Sequence, residues 1–378
     1  MTKNPSLHKI PASLIRKLFA LKGKKMEKVN EKDVLDALKQ VEDPDLKKDI
    51  VSLNFIKDLQ ISSENIVSFT LELTTPACPF KKKMQEEAEK LILKIPGVKS
   101  VEIKTTSQVR STVRDNKEIK LPGVKNIIVV GSGKGGVGKS TVSANLAIAL
   151  EQEGAQVGLL DADIYGPTIP KLFSLDVYSQ TDSPYSRMQI YYRYGIKIMS
   201  VGFLIPEKTA LIWRGPMLEK MLRMLLCDIE WGDLDYLIID LPPGTGDVPL
   251  SLCQILNLSG AIIVSSPQAV AMQVAVRAID MFNKLNCPIL GIVENMSYYI
   301  CSHCSQKDYI FGHGTTEQVS KEWNIPFLGE IPLCSQIRYT SDQGMPVVAV
   351  EPENPGAKAF QEIAQKISAQ LSIKHFSS

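Results

Sequence analysis

The sequence predicts an α/β protein with a mostly parallel sheet covered by helices on both faces, preceded by a small α+β domain. Three observations carry that expectation. Short apolar, β-rich runs recur between residues 125 and 373 with helical segments between them. This is the pattern of strands buried on both faces of a parallel sheet. A glycine-rich turn, Gly133-x-x-x-x-Gly138-Lys139-Ser140, lies between the first of those runs and a helix, the place a phosphate-binding loop requires. The first hundred residues instead mix helical and alternating patterns without that regularity.

Of the 378 residues, 44% are apolar and 22% charged, and 43 basic against 41 acidic side chains leave a net charge of +2. The composition is globular, and the length suits two domains. Balanced charge argues against a nucleic-acid partner held by bulk electrostatics. No apolar run approaches the ~18–20 residues that span a bilayer, so no membrane partner is expected. The seven cysteines are scattered apart from Cys301 and Cys304. An odd, dispersed set points to a reducing compartment, and the expected location is cytoplasmic.

The elements follow in order. Residues 1–26 are a basic N-terminal extension carrying Lys3, Lys9, Arg16, Lys17, Lys22, Lys24 and Lys25 and no acidic residue before Met26. An organellar import segment is the alternative reading of the same composition. Residues 27–106 form the small α+β domain. In it "EKDVLDALKQV" and "KKKMQEEAEKLILKI" have helical spacing, Val67, Phe69, Leu71 and Leu73 alternate as in a strand, and "VKSVEIKT" is a short strand. Residues 107–124, polar with a Pro-Gly near the end, read as a linker.

From 125 to 373, "NIIVVGSG", "QVGLLDAD", "GIKIMSVGF", "LDYLIIDLP", "GAIIVSSP" and "PILGIVENMS" supply the sheet. Each ends in Gly, Asp, Ser or Asn, and ligands of open α/β sheets bind beyond the carboxyl ends of strands. The last helix places Phe360, Ile363, Ala364 and Ile367 on one stripe. Its polar face is not strongly basic, so it is expected to dock on the core rather than on a membrane.

The loop carries the most chemistry. Glycines let backbone N–H groups wrap phosphate oxygens, and the following helix aims its positive end at the same anion. The expected nucleotide-binding set is Gly133, Lys134, Gly135, Gly136, Val137, Gly138, Lys139, Ser140 and Thr141. Lys139 reaches the β/γ-phosphates and Ser140 ligates Mg²⁺. Two strand ends supply carboxylates, Asp161 and Asp163 in "LLDADIYGP" and Asp240 in "LIIDLPPGTGD". Asp240 is expected to hold the Mg²⁺ shell. Asp163, or Asp161 if the register differs, would position the attacking water. Asn295 ends another strand and has an amide suited to a base edge. Without the Asn-Lys-x-Asp of guanine readers, that base is adenine and the nucleotide ATP.

Cys301 and Cys304 are the only close cysteine pair. Two thiols grip one side of a metal, whereas closed zinc and iron–sulfur sites take four ligands. From the residues alone an iron–sulfur cluster, a zinc site using His303 or His313, and a redox pair all stand. Cys78 precedes a helix and Lys81, Lys82 and Lys83, a setting that favours thiolate; an inert buried thiol is the other reading. Cys227, Cys253, Cys287 and Cys334 are read as packing residues.

With these residues named, the chain resembles the Mrp/ApbC family of iron–sulfur carrier ATPases, within the deviant P-loop group of the nitrogenase iron protein and MinD. The resemblance rests on "GSGKGGVGKSTVSANLA", "DADIYGPTIPKL", "GIKIMSVGFLIP", "IWRGPM", "DYLIIDLPPGTGD", "VENMSYYICSHC", "IFGHG" and "PFLGEIPL". The first domain resembles the iron–sulfur assembly domain often fused before this ATPase, through "VEDPDLKKDIVSLNFIKDL" and "LELTTPACPF".

The resemblance implies a P-loop NTPase fold, ATP hydrolysis with slow turnover, and a homodimer. It implies that Lys134 reaches the partner's nucleotide, and that Cys301 and Cys304 of two subunits hold one 4Fe-4S cluster. The implied partners are a cluster donor scaffold and apo iron–sulfur proteins. A MinD/ParA-like positioning switch is the alternative. A reductase like the nitrogenase iron protein would need single, separated cluster cysteines, and this chain has a C-x-x-C.

Overall fold

A computed structural model describes residues 29–112, 117–175, 188–204, 215–301 and 303–377. The basic extension of residues 1–26 and the "IWR" of "IWRGPM" lie outside the described residues. The chain divides into two compact units. One runs to Glu72 and takes in Phe80–Thr106; the other comprises Leu73–Pro79 and Ser107–Ser378.

In the smaller unit, helix α1 (Glu31–Leu38) starts where the Asn30 side chain accepts the Asp33 N–H at 2.9 Å, with Glu31 and Asp33 in the first turn. A cap of this kind satisfies an otherwise orphaned donor and complements the helix dipole. Strands β1 (Glu42–Asp43) and β2 (Lys48–Asp49) make a short antiparallel pair. Strands β3 (Ile56–Ile61), β4 (Ile66–Leu73) and β5 (Ser100–Ser107) form a sheet in that order, and helix α2 (Lys81–Ile92) lies between β4 and β5 in sequence. Val67, Phe69, Leu71 and Leu73 are buried and their neighbours are not, the alternation of a strand with one buried face. Met84, Ala88 and Ile92 make the buried stripe of α2.

The larger unit is built on an eight-stranded sheet. Strand β6 (Ile127–Ser132), buried throughout, leads through the glycine loop into α3 (Lys139–Gln152) and then β7 (Val157–Asp161). A short helix α4 (Ile169–Leu172), strands β8 (Tyr191–Arg193) and β9 (Ile196–Ser200), and helix α5 (Gly215–Cys227) follow. Next come β10 (Tyr236–Asp240), α6 (Asp247–Ile255), β11 (Gly260–Ser265), α7 (Ala269–Lys284) and β12 (Ile289–Glu294). A small antiparallel hairpin, β13 (Tyr299–Ile300) with β14 (Lys307–Asp308), precedes α8 (Thr315–Glu322) and β15 (Phe327–Glu330). Helices α9 (Ser335–Asp342), α10 (Val347–Val350) and α11 (Pro355–Ser377) end the chain.

Strand order is β15-β12-β11-β6-β10-β7-β9-β8, parallel except for β8 on β9. The six expected runs are all strands. The two edge strands, β8 and β15, carry no long apolar run to announce them. Because β6 lies between β10 and β11, its loop emerges with the ends of both neighbours beside it.

Helix α3 is buried on nearly every side, from Val142 through Leu150, as befits a helix apolar all round. Helices α10 and α11 pack against it. The α11 stripe Phe360, Ile363, Ala364 and Ile367 is buried, and its three large side chains contribute about 1.5–3 kcal/mol each. Asn145 Oδ1 accepts the Val348 N–H at 3.1 Å and Gln152 donates to the Val348 carbonyl at 3.0 Å. Among the described residues no helix is long and apolar enough to cross a membrane. The packing role read for four cysteines holds for Cys253 and Cys287, which are buried. Cys227 is exposed at the end of α5, and Cys334 is half-buried at the start of α9; both mark helix ends, where apolar neighbours in sequence do not guarantee burial.

Candidate functional site

The loop between β6 and α3 owes its path to glycine. Gly136 and Gly138 have φ of +82°, and Gly138 caps α3; other residues pay a steric penalty there. A side chain at Gly133 would meet the α7 backbone, 2.4 Å from the Val274 carbonyl carbon. Gly133 thus lets the loop lie directly on α7. Gly135, Thr141 and Lys134 join the loop's wall of a cavity of about 480 Å³, within the range of small-ligand sites. Lys134 Nζ is 3.4 Å from Gln268 Oε1 of its own chain.

Lys139, Ser140 and Asp240 come together as expected. Asp240 Oδ2 accepts from Lys139 Nζ at 2.7 Å and from Ser140 Oγ at 2.5 Å. Its Oδ1 accepts from Ser143 Oγ at 2.6 Å. Ser143 was not anticipated. It lies one turn beyond Lys139 on α3, and that spacing is the signal that could have found it.

The two aspartates at the end of β7 separate. Asp163 lines the cavity, with Oδ2 3.7 Å from Lys139 Nζ. Burial raises its pKa, and the Lys139 charge opposes that. Asp161 is fully buried and accepts from the Asp163 N–H at 3.0 Å, the Ile169 N–H at 3.1 Å and Ser200 Oγ at 2.9 Å. Burial first, then the charge of Asp240, push its carboxyl up to about 7. Of the two register alternatives, Asp163 is therefore the one on the cavity wall, and Asp161 shapes the turn that presents it.

Asn295 also lines the cavity, yet both ends of its amide are engaged. Nδ2 donates to the Val137 carbonyl at 2.9 Å, and Oδ1 accepts the Met296 N–H at 3.0 Å. The cavity is also lined by Pro332, Leu333, Cys334, Ile337, Arg338 and Lys171 of α4; Pro332, Leu333 and Lys171 lie in quoted motifs, but none of the six is expected at the site from the sequence.

Cys301 and Cys304 sit in the turn of the β13–β14 hairpin. The Cys301 N–H donates to the Gln306 carbonyl at 3.0 Å, and the Ser305 N–H to the Cys301 carbonyl at 2.8 Å. Cys301 is half-buried and Cys304 exposed. The backbone N–H groups of Cys304 and His303, and then the Cys304 side chain, hold the Cys301 thiol below its ordinary range, a setting that favours the thiolate metals bind. The His313 ring lies tilted against Tyr309, ring centroids 4.1 Å apart, with Nδ1 3.6 Å from Glu330. Among the described residues no group of three His, Cys, Asp or Glu is placed to hold a metal, so the one-chain zinc site is not assembled.

The family model for NUBPL iron-transfer P-loop NTPases matches residues 123–368. The chain belongs to that family. An iron–sulfur cluster assembly protein model matches residues 31–104 of this NTPase. It is 46% identical to an iron-sulfur cluster carrier protein of Synechocystis over 90% of this chain and 97% of the relative. A second protein of that name, from Deinococcus radiodurans, is 42% identical over 91% and 96%. A solved nucleotide-binding protein from Archaeoglobus fulgidus, in complex with ADP, is similar at 39% identity and a TM-score of 0.50, over 60% of this chain and 89% of that one.

Proposed function

We propose that this NTPase binds and hydrolyses ATP and carries a 4Fe-4S cluster, held between two copies of the chain, from a donor scaffold to apoproteins. The isolated thiol pair carries the reading. Cys301 and Cys304 share one hairpin turn, and no further His, Cys, Asp or Glu completes a metal site with them among the described residues. Four thiolates then require the same pair from a second copy across a two-fold axis. Ile310 and Phe311 stand exposed just beyond the hairpin, apolar surface of the kind an interface covers. The names of the relatives support an iron–sulfur cargo.

In the nucleotide cavity the loop N–H groups take the phosphates, and Lys139 turns from Asp240 toward them. Ser140 Oγ and the Asp240 carboxylate are the hard oxygen donors that suit Mg²⁺, with Ser140 as direct ligand and Asp240 holding the ion's shell. Bound there, the ion would neutralise charge on the β- and γ-phosphates. Asp163, on the wall beside Lys139, orients the water that attacks the γ-phosphorus, and the β–γ bridging oxygen leaves. Lys134 exchanges Gln268 for the partner's nucleotide, adding a cation where charge develops.

Anaerobic purification with iron and sulfide analysis tests the central claim. About four irons and four sulfides per dimer are expected, with loss of both in Cys301→Ala/Cys304→Ala and nucleotide binding retained. A colourless dimer holding one zinc would overturn it.

A further inference from the structure

The segment that bears the cysteines is fastened to the nucleotide cavity at two points before its hairpin. Cys301 is six residues beyond Asn295 in sequence. Asn295 is held to the end of β11 by its N–H on the Ser265 carbonyl at 2.8 Å, and to the phosphate loop by Nδ2 on the Val137 carbonyl. The fit is close enough that a Cβ on Gly138 would overlap Asn295 Nδ2. At the second point, Leu333 of the cavity wall donates its N–H to the Tyr298 carbonyl at 2.7 Å.

Next to the first fastening in sequence lies a buried carboxylate outside the cavity. Glu294, 1% exposed, accepts Ser297 Oγ at 2.6 Å on one oxygen and Thr316 Oγ1 on the other. Its carbonyl accepts the Ile331 N–H at 2.8 Å, and the Ser297 N–H donates to the Ile331 carbonyl at 2.9 Å. With no cation paired to it among the described residues, this buried carboxylate depends on such hydroxyl donors. It therefore locks the start of the cysteine segment to α8 and to the chain that enters the cavity wall.

We propose that Asn295, Glu294, Ser297 and Thr316 form a strap that transmits the state of the phosphate loop to the Cys301–Cys304 turn within one protomer. This rests on the nucleotide and cargo reading given above. The carbonyl of Val137 belongs to the loop that must wrap phosphate, so a change of loop conformation is felt at Asn295 first. Glu294 keeps the intervening residues from absorbing that change, and Tyr298 passes it to the hairpin. In this arrangement Asn295 is a positioning residue between two sites, and the coupling it carries must act in both directions.

The test uses the full chain, metal-free and reduced, so it does not depend on cluster content. Alkylation rates of Cys301 and Cys304 are read by peptide mass with and without Mg-ADP or a non-hydrolysable ATP analogue, over a series of protein concentrations. Nucleotide is expected to change the wild-type rates by about fivefold or more, the lower end of ordinary allosteric coupling, independently of protein concentration. Ser297→Ala and Thr316→Val, neither of which lines the cavity, should bind nucleotide normally and lose most of the change. Thr316→Ser should keep it. Unaltered coupling in both hydroxyl-deleted variants would overturn the strap, as would no nucleotide effect in wild type. An effect that scales with protein concentration would assign the coupling to the second copy instead and equally refute it. Failure of the cargo reading shows separately, as absence of iron and sulfide.

Discussion

Replacing Asp240 isolates the electrostatics of the phosphate loop. The carboxylate is wholly buried and accepts from Lys139, Ser140 and Ser143 at 2.7, 2.5 and 2.6 Å. Asp240→Ala leaves the Lys139 ammonium, 6% exposed, with the Ser140 hydroxyl at 3.1 Å and, as its one remaining carboxylate among the described residues, Asp163 at 3.7 Å. Stranding one partner of a buried pair costs about 3–5 kcal/mol. Part is returned, because the Asp240 charge is the second cause of the raised Asp161 pKa. Burial is the first cause, so the relief is the smaller effect and a net loss of about 2–4 kcal/mol remains.

Asp240→Asn keeps an acceptor for Lys139 and Ser140. Its amide nitrogen can face Ser143, whose hydroxyl also lies 3.1 Å from the Lys139 carbonyl and can donate there instead. That hydrogen-bond rearrangement is expected to cost about 1 kcal/mol, beside the loss of the counter-charge to Lys139 that the Asn and Ala variants share. In nucleotide-free protein at pH 8, followed by circular dichroism, Asp240→Ala should melt roughly 4–16 °C below wild type, with Asp240→Asn in between. Equal melting of wild type and Asp240→Ala, or an Asn variant as damaged as the Ala one, would refute the reasoning.

Two further outcomes follow from the same region. Gly133→Ala should lower nucleotide affinity roughly tenfold or more, because its Cβ collides with α7 backbone that no rotamer relieves. Gly136→Ala, with no atom within 4 Å of its Cβ and a φ of +82°, should cost only about 1–2 kcal/mol of backbone strain; a fluorescent-nucleotide titration ranks the two, and the reverse order would contradict the packing. Asp161 has an ordinary pKa of 3.8 and a folded value of about 7. Between these the folded chain keeps a proton that the unfolded chain has released, so its contribution is full below about pH 4 and is lost as pH rises through about 7. Asp161→Asn cannot ionise, so its melting temperature should gain on wild type from pH 5 to pH 8; a constant difference would argue against the buried proton.

The sheet was legible because its central strands are continuous apolar runs, and the phosphate loop because its glycines and lysine occur at fixed spacing. Lys139, Ser140 and Asp240 meet because β6 and β10 are neighbours, an adjacency that the sheet order supplies and the motifs do not state. The register after β7 was not legible: "DAD" offers two carboxylates, and only the turn held by Ser200 and the Ile169 N–H decides that Asp163 faces the cavity. Asn295 lies on the cavity wall, but its amide is engaged by the Val137 carbonyl and the Met296 N–H, contacts that depend on how closely the end of β12 approaches the loop. The wall from Pro332 to Arg338 was not assigned to the site, since it is recruited from distant sequence: "PFLGEIPL" marks its first two residues as family-like without saying that they meet the phosphate loop. The thiol pair could be seen at once. Its missing ligands pointed to a second copy only through the family resemblance.

The burial of α3 has a consequence for synthesis. The helix that carries Lys139 and Ser140 is covered by residues 347–350 and by the stripe Phe360–Ile367, both later in sequence and therefore later to leave the ribosome. Non-local contacts of this kind form only when both partners exist. A nascent chain that already contains the whole phosphate loop therefore still presents its helix bare on one side.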